Sequence, residues 1–535
     1  MCGIHGILEL NGAPAPIEVL ARMAGITRHR GPDDEGAYGD GPVALGMRRL
    51  SIIDLEGGHQ PLTNEDRTLW LVANGEIYNY RELARELRSR GHRLRTGSDC
   101  ETLLHLYEEF GDGFLERVNG MFAFALWDCR RRRLVVGRDR VGVKPLYVAN
   151  DGRRLAFASE AKALLCVPGV TPELDSDALG AYLALGYVPA PLSIFRGIRK
   201  LPPATLLTVE DGRVSEQTYW RVPQHVDANV DEATWIAQVR QRLEAAVKAQ
   251  MVSDVPIGAF LSGGIDSSAV VAFMSAHSNR PIKTYSIGFD GGTAEAFYNE
   301  LPHARRIATL FGTEHHEIVV RPDVVELIPR LLWHMDEPIA DSAFVTTYLV
   351  SEFARRDVTV ILSGVGGDEL FAGYRRYLGN HYHQRFDRLP TGVQRAMTAV
   401  GARLPSDRHS PLLNAMRLIR HLAVLYGGRP GPLGVLKLFR RVVSHLAITG
   451  GVAVTDSVVQ QVIGHGLAAR LSARLGEGMV NGLLTARLGL LAIDLTRPLP
   501  FHALPRPSLN DLAGNLLRGA ADDRAAAAGP DDPSK

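Results

Sequence analysis

A chain of 535 residues is too long for a single compact core and implies two or three domains. Hydrophobic residues at 45% and charged residues at 22% are ordinary for a soluble globular protein. A formal net charge of +1 gives no electrostatic reason to bind nucleic acid or an anionic membrane, so neither is expected as a partner. The opening Met1-Cys2-Gly3-Ile4-His5-Gly6 has no basic region leading into an apolar run, and no stretch reaches the length of a membrane span. A cytoplasmic protein is therefore expected. The cysteines Cys2, Cys100, Cys129 and Cys166 include no Cys-x-x-Cys pair, which argues against zinc and against a disulfide framework. The last three read as buried thiols. Only seven of the 60 basic residues are lysine, so a missing lysine is easy to notice.

In chain order, residues 2 to about 165 read as strands mixed with a few helices. Leu69–Asn74 and Leu134–Arg138 have strand character; Arg81–Arg90 and Asp99–Phe110 read as helices, the second led by Ser98 and Asp99. Residues 166 to about 230 are rich in Pro, Gly and polar turns and read as a connection. From Asp231 the pattern changes. Helix Ala233–Met251 leads into the apolar strand Val255–Leu261, a Gly loop and a helix over Ala269–Ser275. Strand Thr284–Phe289, helix Glu300–Phe311 and strand His315–Val320 follow. A helix near Val324–His334, another at Thr346–Arg356 and the strand Val358–Leu362 complete the series. Strands alternating with helices predict a doubly wound parallel sheet. Gly519–Lys535 is rich in Ala, Asp and Pro and is expected to be disordered.

Cysteine at position 2 offers a specific chemistry. Small side chains permit removal of Met1, and the freed α-amine, with a pKa near ~8, is basic enough to activate the thiol of its own residue. Taken alone, Cys2 is simply a small residue after the initiator. Its surroundings decide otherwise. Cys2-Gly3-Ile4-His5-Gly6 is followed by Arg28-His29-Arg30-Gly31-Pro32-Asp33, Arg49-Leu50-Ser51-Ile52 and Asn74-Gly75-Glu76-Ile77-Tyr78-Asn79. Then come Gly97-Ser98-Asp99-Cys100-Glu101, Gly120-Met121-Phe122-Ala123-Phe124-Ala125 and Gly137-Arg138-Asp139-Arg140-Val141-Gly142. The series resembles class II glutamine amidotransferases. The resemblance implies a four-layer αββα Ntn-hydrolase domain in which Cys2 attacks the glutamine amide. Asn74 and the Gly75 N–H would hold the oxyanion, Arg49 the α-carboxylate, and Glu76 and Asp99 the α-ammonium. Arg30 and Asp33 are expected to be structural.

Strand Val255–Leu261 runs into Ser262-Gly263-Gly264-Ile265-Asp266-Ser267-Ser268. Two glycines let a backbone approach phosphate, and a following helix N-terminus favours anions. There is no GxxxxGK[ST] motif, so this is not a Walker loop. Alone, the segment could be a Gly-Gly turn. Tyr285-Ser286-Ile287-Gly288-Phe289, Gly312-Thr313-Glu314-His315-His316, Asp336-Glu337-Pro338 and Ser363-Gly364-Val365-Gly366-Gly367-Asp368-Glu369-Leu370-Phe371 follow it. Together they resemble the ATP-pyrophosphatase domain of asparagine synthetases. That resemblance implies ATP bound by Leu261, Ser262, Gly263, Gly264, Asp266, Ser267, Ile287, Ser363 and Gly364. Asp266 and Asp368 would be Mg²⁺ ligands. His315 and His316 have no third ligand nearby and are assigned no zinc.

The implied domains are 2–210 (glutaminase), 231–385 (ATP-pyrophosphatase) and a divergent 386–535. The implied activity is glutamine-dependent amidation of an acid adenylated by Mg·ATP, most simply aspartate, with ammonia passing between sites. The same chemistry on another acid, as in relatives encoded beside surface-polysaccharide genes, is the first alternative. A glutaminase whose synthetase half is dead is the second. A cyclase of the β-lactam synthetase kind would leave Cys2 idle. The resemblance leaves room for a homodimer. Two departures stand out. Val365 occupies a position that is usually acidic, and the family's DRMSMAxSLExRxPFLD and KxGF segments are missing. Residues 408–510 hold only three acidic side chains, Asp456, Glu477 and Asp494, which fits either a shifted reading frame or divergence.

Overall fold

A computed structural model describes residues 1–374 except 225–228, 290–299, 321–323 and 342, together with 377, 388 and 390–392. Met1–Gly373 forms one compact unit. The second unit begins at Tyr374, and nearly all of it, with the expected disordered tail, lies outside the described residues.

The first two layers are antiparallel sheets of six strands each. One contains β1 (Gly3–Glu9), β2 (Asp34–Asp40), β3 (Val43–Arg49), β8 (Tyr147–Asn150), β9 (Arg154–Ala158) and β10 (Ile198–Lys200), in the order β10-β8-β9-β1-β3-β2. The other contains β4 (Leu62–Thr63), β5 (Leu69–Ile77), β6 (Gly120–Asp128), β7 (Arg133–Arg138), β11 (Thr205–Glu210) and β12 (Arg213–Thr218), in the order β12-β11-β7-β6-β5-β4.

Side-chain alternation builds three cores from these strands. Ile4 and Leu8 of β1, Val72 of β5, and Ala123, Ala125 and Trp127 of β6 fill the space between the sheets. Leu69, Leu71, Ala73, Phe122, Phe124 and Leu126 point the other way, onto helices Tyr80–Ser89 and Glu101–Phe110. Ile7, Ala44, Ala156 and Ala158 pack on helix Ile17–Ile26, whose Val19, Leu20, Met23 and Ala24 form one face. The order is helix, sheet, sheet, helix, as the Ntn-hydrolase expectation requires. Phe124 is completely buried, a contribution of roughly 1.5–3 kcal/mol.

The stretch read as a connection is structured. It forms helix Ser176–Leu185, capped by Asp175, and extends both sheets: β10 is the edge of the first, and β11 with the edge strand β12 completes the second.

The third layer system is parallel. Strands β13 (Ile257–Phe260), β14 (Lys283–Phe289), β15 (Glu314–Val320) and β16 (Val360–Leu362) follow the order β15-β14-β13-β16, all neighbours parallel. The chain winds outward from β13 to β15, then returns to the other side for β16. The order therefore reverses between β13 and β16, the place where such sheets bind ligands beyond their carboxyl ends. No helix among the described residues is long and apolar enough to cross a membrane.

Candidate active sites

Cys2 precedes β1 and follows its alternation, so its side chain lies with Ile4 and Leu8 on the inner face between the antiparallel sheets. The thiol lies 3.5 Å from the Leu50 carbonyl and accepts the Leu50 N–H at 3.4 Å. Arg30 Nε donates to the Cys2 carbonyl at 2.9 Å, so the residue read as structural holds the nucleophile's own backbone.

Strand β5 runs opposite. Asn74 and Glu76 alternate with Val72 and share its inner face. Asn74 is 1% exposed, and its Nδ2 has no hydrogen-bond partner. An unmade hydrogen bond at a buried amide costs roughly 1–3 kcal/mol, which marks a donor held ready for a ligand.

Gly75 is opposite Phe122, whose own N–H and C=O turn the other way to bond Asp139. The pair is thus non-hydrogen-bonded, and the Gly75 N–H faces the free edge of the strand. Its neighbours on that edge are taken: Gln60 brackets the Ala73 backbone at 2.7 and 3.1 Å, and Asp99 Oδ2 accepts the Ile77 N–H at 2.7 Å. The strands also approach closely here, since a Cβ on Gly75 would meet the Met121 carbonyl oxygen at 2.6 Å. Only glycine fits.

Arg49 is buried and gives its guanidinium to the carbonyls of Ile53, Asp54 and Leu55, at 2.9, 2.7 and 3.3 Å. Its visible role is to shape that loop. Among the described residues it has no carboxylate partner, which leaves its charge open to an anionic ligand. Burial pushes the Glu76 carboxyl up to about 7; Lys144 opposes this and Asp99 adds to it. Burial raises Asp99 to about 6 against the pull of the Ile77 N–H. Met1 is present, and burial lowers its amino group to about 6, with Arg30 and Lys144 pulling the same way and Cys2 opposing.

These carboxylates make a pH prediction. An α-ammonium ligand needs them ionised, and ionisation is lost as pH falls through 7 and then 6. The KM for glutamine should rise roughly tenfold between pH 8 and pH 6, as expected for a group half-ionised near 7. Glu76→Gln should flatten that rise while raising KM at pH 8. A flat wild-type profile would remove the ammonium-binding role.

At the parallel sheet, Leu261 is buried and its N–H bonds the Tyr285 carbonyl at 3.0 Å. Ser262 and Ser267 tie the loop with an Oγ–Oγ contact of 2.9 Å, and the Gly264 N–H donates to Ser262 Oγ at 3.2 Å. Gly263 has φ +83°, and a Cβ there would meet the His303 backbone at 2.6 Å. The helix begins at Ile265, not Ala269, so Asp266, Ser267 and Ser268 lie in its first turn. Four residues read as loop therefore belong to a helix N-terminus.

The loop after β16 closes on this turn. A Cβ on Gly364 would meet the Ser267 N–H nitrogen at 2.6 Å, and one on Gly367 would meet the Asp266 carboxylate at 2.3 Å. Asp266 thus abuts the residue before Asp368. Ser363 sits at the same closure, and Ile287, toward the carboxyl end of β14 on the side of the nucleotide loop, packs with Tyr285 and Val350. Glycine-lined backbone, a helix N-terminus and two carboxylates fit a phosphate chain with Mg²⁺. His315 and His316 are held by Glu317 and Glu314, at 3.2 and 3.1 Å.

Side-chain contacts join the antiparallel sheets to the segments around the parallel sheet within this unit. Glu160 accepts from His29 at 2.9 Å and from Arg30 at 3.0 Å, and pairs with Lys162; Lys162 in turn reaches Asp336 at 2.7 Å. Asp336 belongs to the Asp-Glu-Pro motif and sits at φ +62°. Its neighbour Glu337 pairs with Lys200. On another side, Asp254 Oδ2 accepts the Asp54 N–H at 2.8 Å, and the Asp254 N–H bonds Ile52 O at 3.0 Å. The loop held by Arg49 therefore rests on the residues leading into β13.

A family model described as a glutamine amidotransferase domain matches residues 1–220, and one described as asparagine synthase matches residues 238–430. Asparagine synthetase (glutamine-hydrolyzing) 1 of Bacillus subtilis is 37% identical over 410 residues, covering 76% of this chain and 64% of that protein. A glutamine-hydrolyzing asparagine synthetase 2 by name, from Methanocaldococcus jannaschii, is 37% identical over 430 residues, 76% of this chain and 81% of that protein.

The chain belongs to the glutamine-hydrolysing asparagine synthetase family.

Asparagine synthetase B of Escherichia coli is 33% identical over 393 residues, 70% of this chain and 65% of that protein. Among solved structures, the glutamine phosphoribosylpyrophosphate amidotransferase of B. subtilis is 16% identical, covering 61% of this chain and 70% of that one, with a TM-score of 0.32. The chain spans 64% of the length of its B. subtilis asparagine synthetase relative. Residues 409–522 match a different family, described as a domain of unknown function (DUF697).

Relative to this asparagine synthetase frame, sequence reasoning missed Lys144. It is buried; its Nζ contacts Met1 Sδ at 3.5 Å, and it lies near enough to Glu76 and Cys2 for both to raise its pKa against the lowering by burial. The signal was available: Lys144 follows the Gly137–Gly142 motif by two residues, in a chain with only seven lysines. Cys100 is buried as expected, whereas Cys129 and Cys166 are half-buried; all four thiols are free.

Proposed function

We propose that the chain hydrolyses glutamine at Cys2 and couples the released ammonia to amidation of an acid adenylated at the parallel-sheet site, with aspartate as the simplest acceptor. The observation that carries the first half is the unpartnered Asn74 amide beside the edge-facing Gly75 N–H. Cys2 attacks the side-chain amide carbon of glutamine. The carbonyl oxygen gains charge and takes up those two donors, which need no reorganisation when the charge forms. Arg49 receives the α-carboxylate, and Glu76 with Asp99 the α-ammonium. Removal of Met1 would place the base on the nucleophile's own residue.

For the second half, Ser262–Ser267 and the helix N-terminus hold the pyrophosphate end of ATP, Leu261 and Ile287 the nucleoside end, and Ser363 and Gly364 close the pocket. Mg²⁺ on Asp266 and Asp368 would neutralise charge between the phosphates. Val365 favours a second reading, in which amidation is slow and the glutaminase predominates. The test is release of pyrophosphate by purified protein given Mg·ATP, glutamine and candidate acids. Acid-dependent release supports the full reaction, and glutamine hydrolysis without it supports the second reading.

Asp266→Asn provides a local check. Mg·ATP binding, followed by titration calorimetry, should weaken at least about tenfold because one anionic ligand is lost. Glutamine hydrolysis should be unchanged, since Asp266 belongs to the other site. Equal affinity in mutant and wild type would reduce Asp266 to a helix-terminal residue.

A further inference from the structure

On the outer helical face of the glutaminase domain, away from Cys2, Glu65, His92, His105 and Glu108 converge. Glu65 lies between β4 and β5, and His92 follows helix Tyr80–Ser89. His105 and Glu108 are three apart on helix Glu101–Phe110, so they share a face. One ligand atom from each residue lies within 4.8 Å of all the others. His105 Nδ1 is 3.0 Å from Glu108 Oε2 and 3.8 Å from Glu65 Oε2, and His92 Nδ1 is 3.6 Å from Glu108 Oε2. Bond lengths near 2.0–2.1 Å in a tetrahedron require ligand atoms roughly 3.4 Å apart. The observed separations bracket that value.

An acidic cluster alone would carry little. Here the remaining atom of every member is engaged or faced by a second group. Glu65 Oε1 accepts the Arg93 N–H at 2.7 Å, and Glu108 Oε1 accepts Asn64 Nδ2 at 2.8 Å. His92 Nε2 meets Glu109 Oε1 at 3.0 Å. His105 Nε2 faces Glu101 Oε1 at 3.7 Å and makes no hydrogen bond, although its side chain is wholly buried. Imidazoles backed by carboxylates, and carboxylates fixed through their second oxygen, are the arrangement that orients metal ligands. Glu65 and Glu108 are part-exposed and leave an entry path.

We propose that Glu65, His92, His105 and Glu108 form a structural site for a first-row divalent cation of the zinc type. Four protein ligands close the coordination shell, so the ion braces rather than catalyses. It ties the β4–β5 loop and the turn after the preceding helix to the helix that follows Asp99. The rival is a metal-free His105 imidazolium held between Glu108 and Glu101.

The full chain, stripped with chelator, is titrated with Zn²⁺ against a chromophoric competitor and then with Co²⁺. The proposal expects one equivalent bound below micromolar Kd. It also expects tetrahedral d–d bands from Co²⁺ with no thiolate charge-transfer band, which separates this site from Cys2. Glu108→Gln and His92→Gln, both on part-exposed side chains, should weaken binding 10- to 100-fold. Both should also abolish the rise in Tm that Zn²⁺ gives the wild type, while their metal-free Tm stays close to wild type. Loss of binding together with a collapse of the metal-free Tm would assign the cluster to the imidazolium reading. Overturning results are no stoichiometric binding at 100-fold excess Zn²⁺, a charge-transfer band, or full affinity in both variants.

Discussion

Cys2→Ala is expected to reduce glutamine hydrolysis on the order of 10⁴-fold or more, to the floor of an ammonia-release assay. The loss should fall on kcat, because the groups expected to bind glutamine remain: Arg49, Glu76 and Asp99 do not depend on the thiol for their positions. Arg49 is fixed by three carbonyls, and Asp99 by the Ile77 N–H. Cys2→Ser should be nearly as inactive, since a hydroxyl is a far weaker nucleophile at neutral pH than a thiolate. Asn74→Ala sets the scale beside it. Removing one oxyanion donor costs about 10²–10³-fold and leaves the nucleophile intact. Residual turnover should therefore rank wild type, then Asn74→Ala, then Cys2→Ala. Blocking removal of Met1 should resemble Cys2→Ala if the α-amine is the base. Unchanged turnover in Cys2→Ala would sink the assignment of Cys2.

Legibility followed sequence locality. Asn74, Gly75 and Glu76 lie consecutively on one strand, so a single motif carries donor, backbone N–H and carboxylate. The strand's alternation then assigns Asn74 and Glu76 to the inner face. Ser262–Ser268 is equally local, and the parallel sheet was readable because its strands alternate with helices. What failed was non-local or masked by composition. Strands β10 and β12 are short edge strands, β11 lies between β12 and β7, and all three are short segments placed by pairing rather than by hydrophobic pattern. The helix at Ile265 starts early because its first turn consists of Asp and Ser, residues that favour caps and turns as readily as helix. Glu65, His92, His105 and Glu108 come from three separate segments, and only their packing brings them together. Arg30 illustrates the same limit, since its bond to the Cys2 carbonyl and its pair with Glu160 span 28 and 130 residues.

On the second reading, the one Val365 favours, this chain supplied with Mg·ATP, aspartate and ammonium should make little or no asparagine. The reason lies at the parallel-sheet site. Ammonia attacking an acyl-adenylate builds negative charge on the former carboxyl and on the α-phosphate. In the family, a lysine from the segment missing here lies near that charge. The lysines of the described residues are committed elsewhere. Lys283 opens β14, at the end of the sheet opposite the nucleotide loop, beside Glu314 at 3.7 Å. Lys162 is bound to Glu160 and Asp336, Lys200 pairs with Glu337, Lys144 lies beside Cys2, and Lys248 ends a helix that precedes β13. At the usually acidic position stands Val365, which is 90% exposed and offers no charge. One lost electrostatic contact of this kind costs about 10²–10³-fold in rate, and here two are missing. Val365→Glu alone should therefore recover only part of the loss, and glutamine hydrolysis should be indifferent to it. The measurement is asparagine and AMP formed in equal amounts over time. Sustained stoichiometric production by the unaltered chain would overturn the expectation, and would require another cation, an arginine in a chain so poor in lysine, to stand where the family has its lysine.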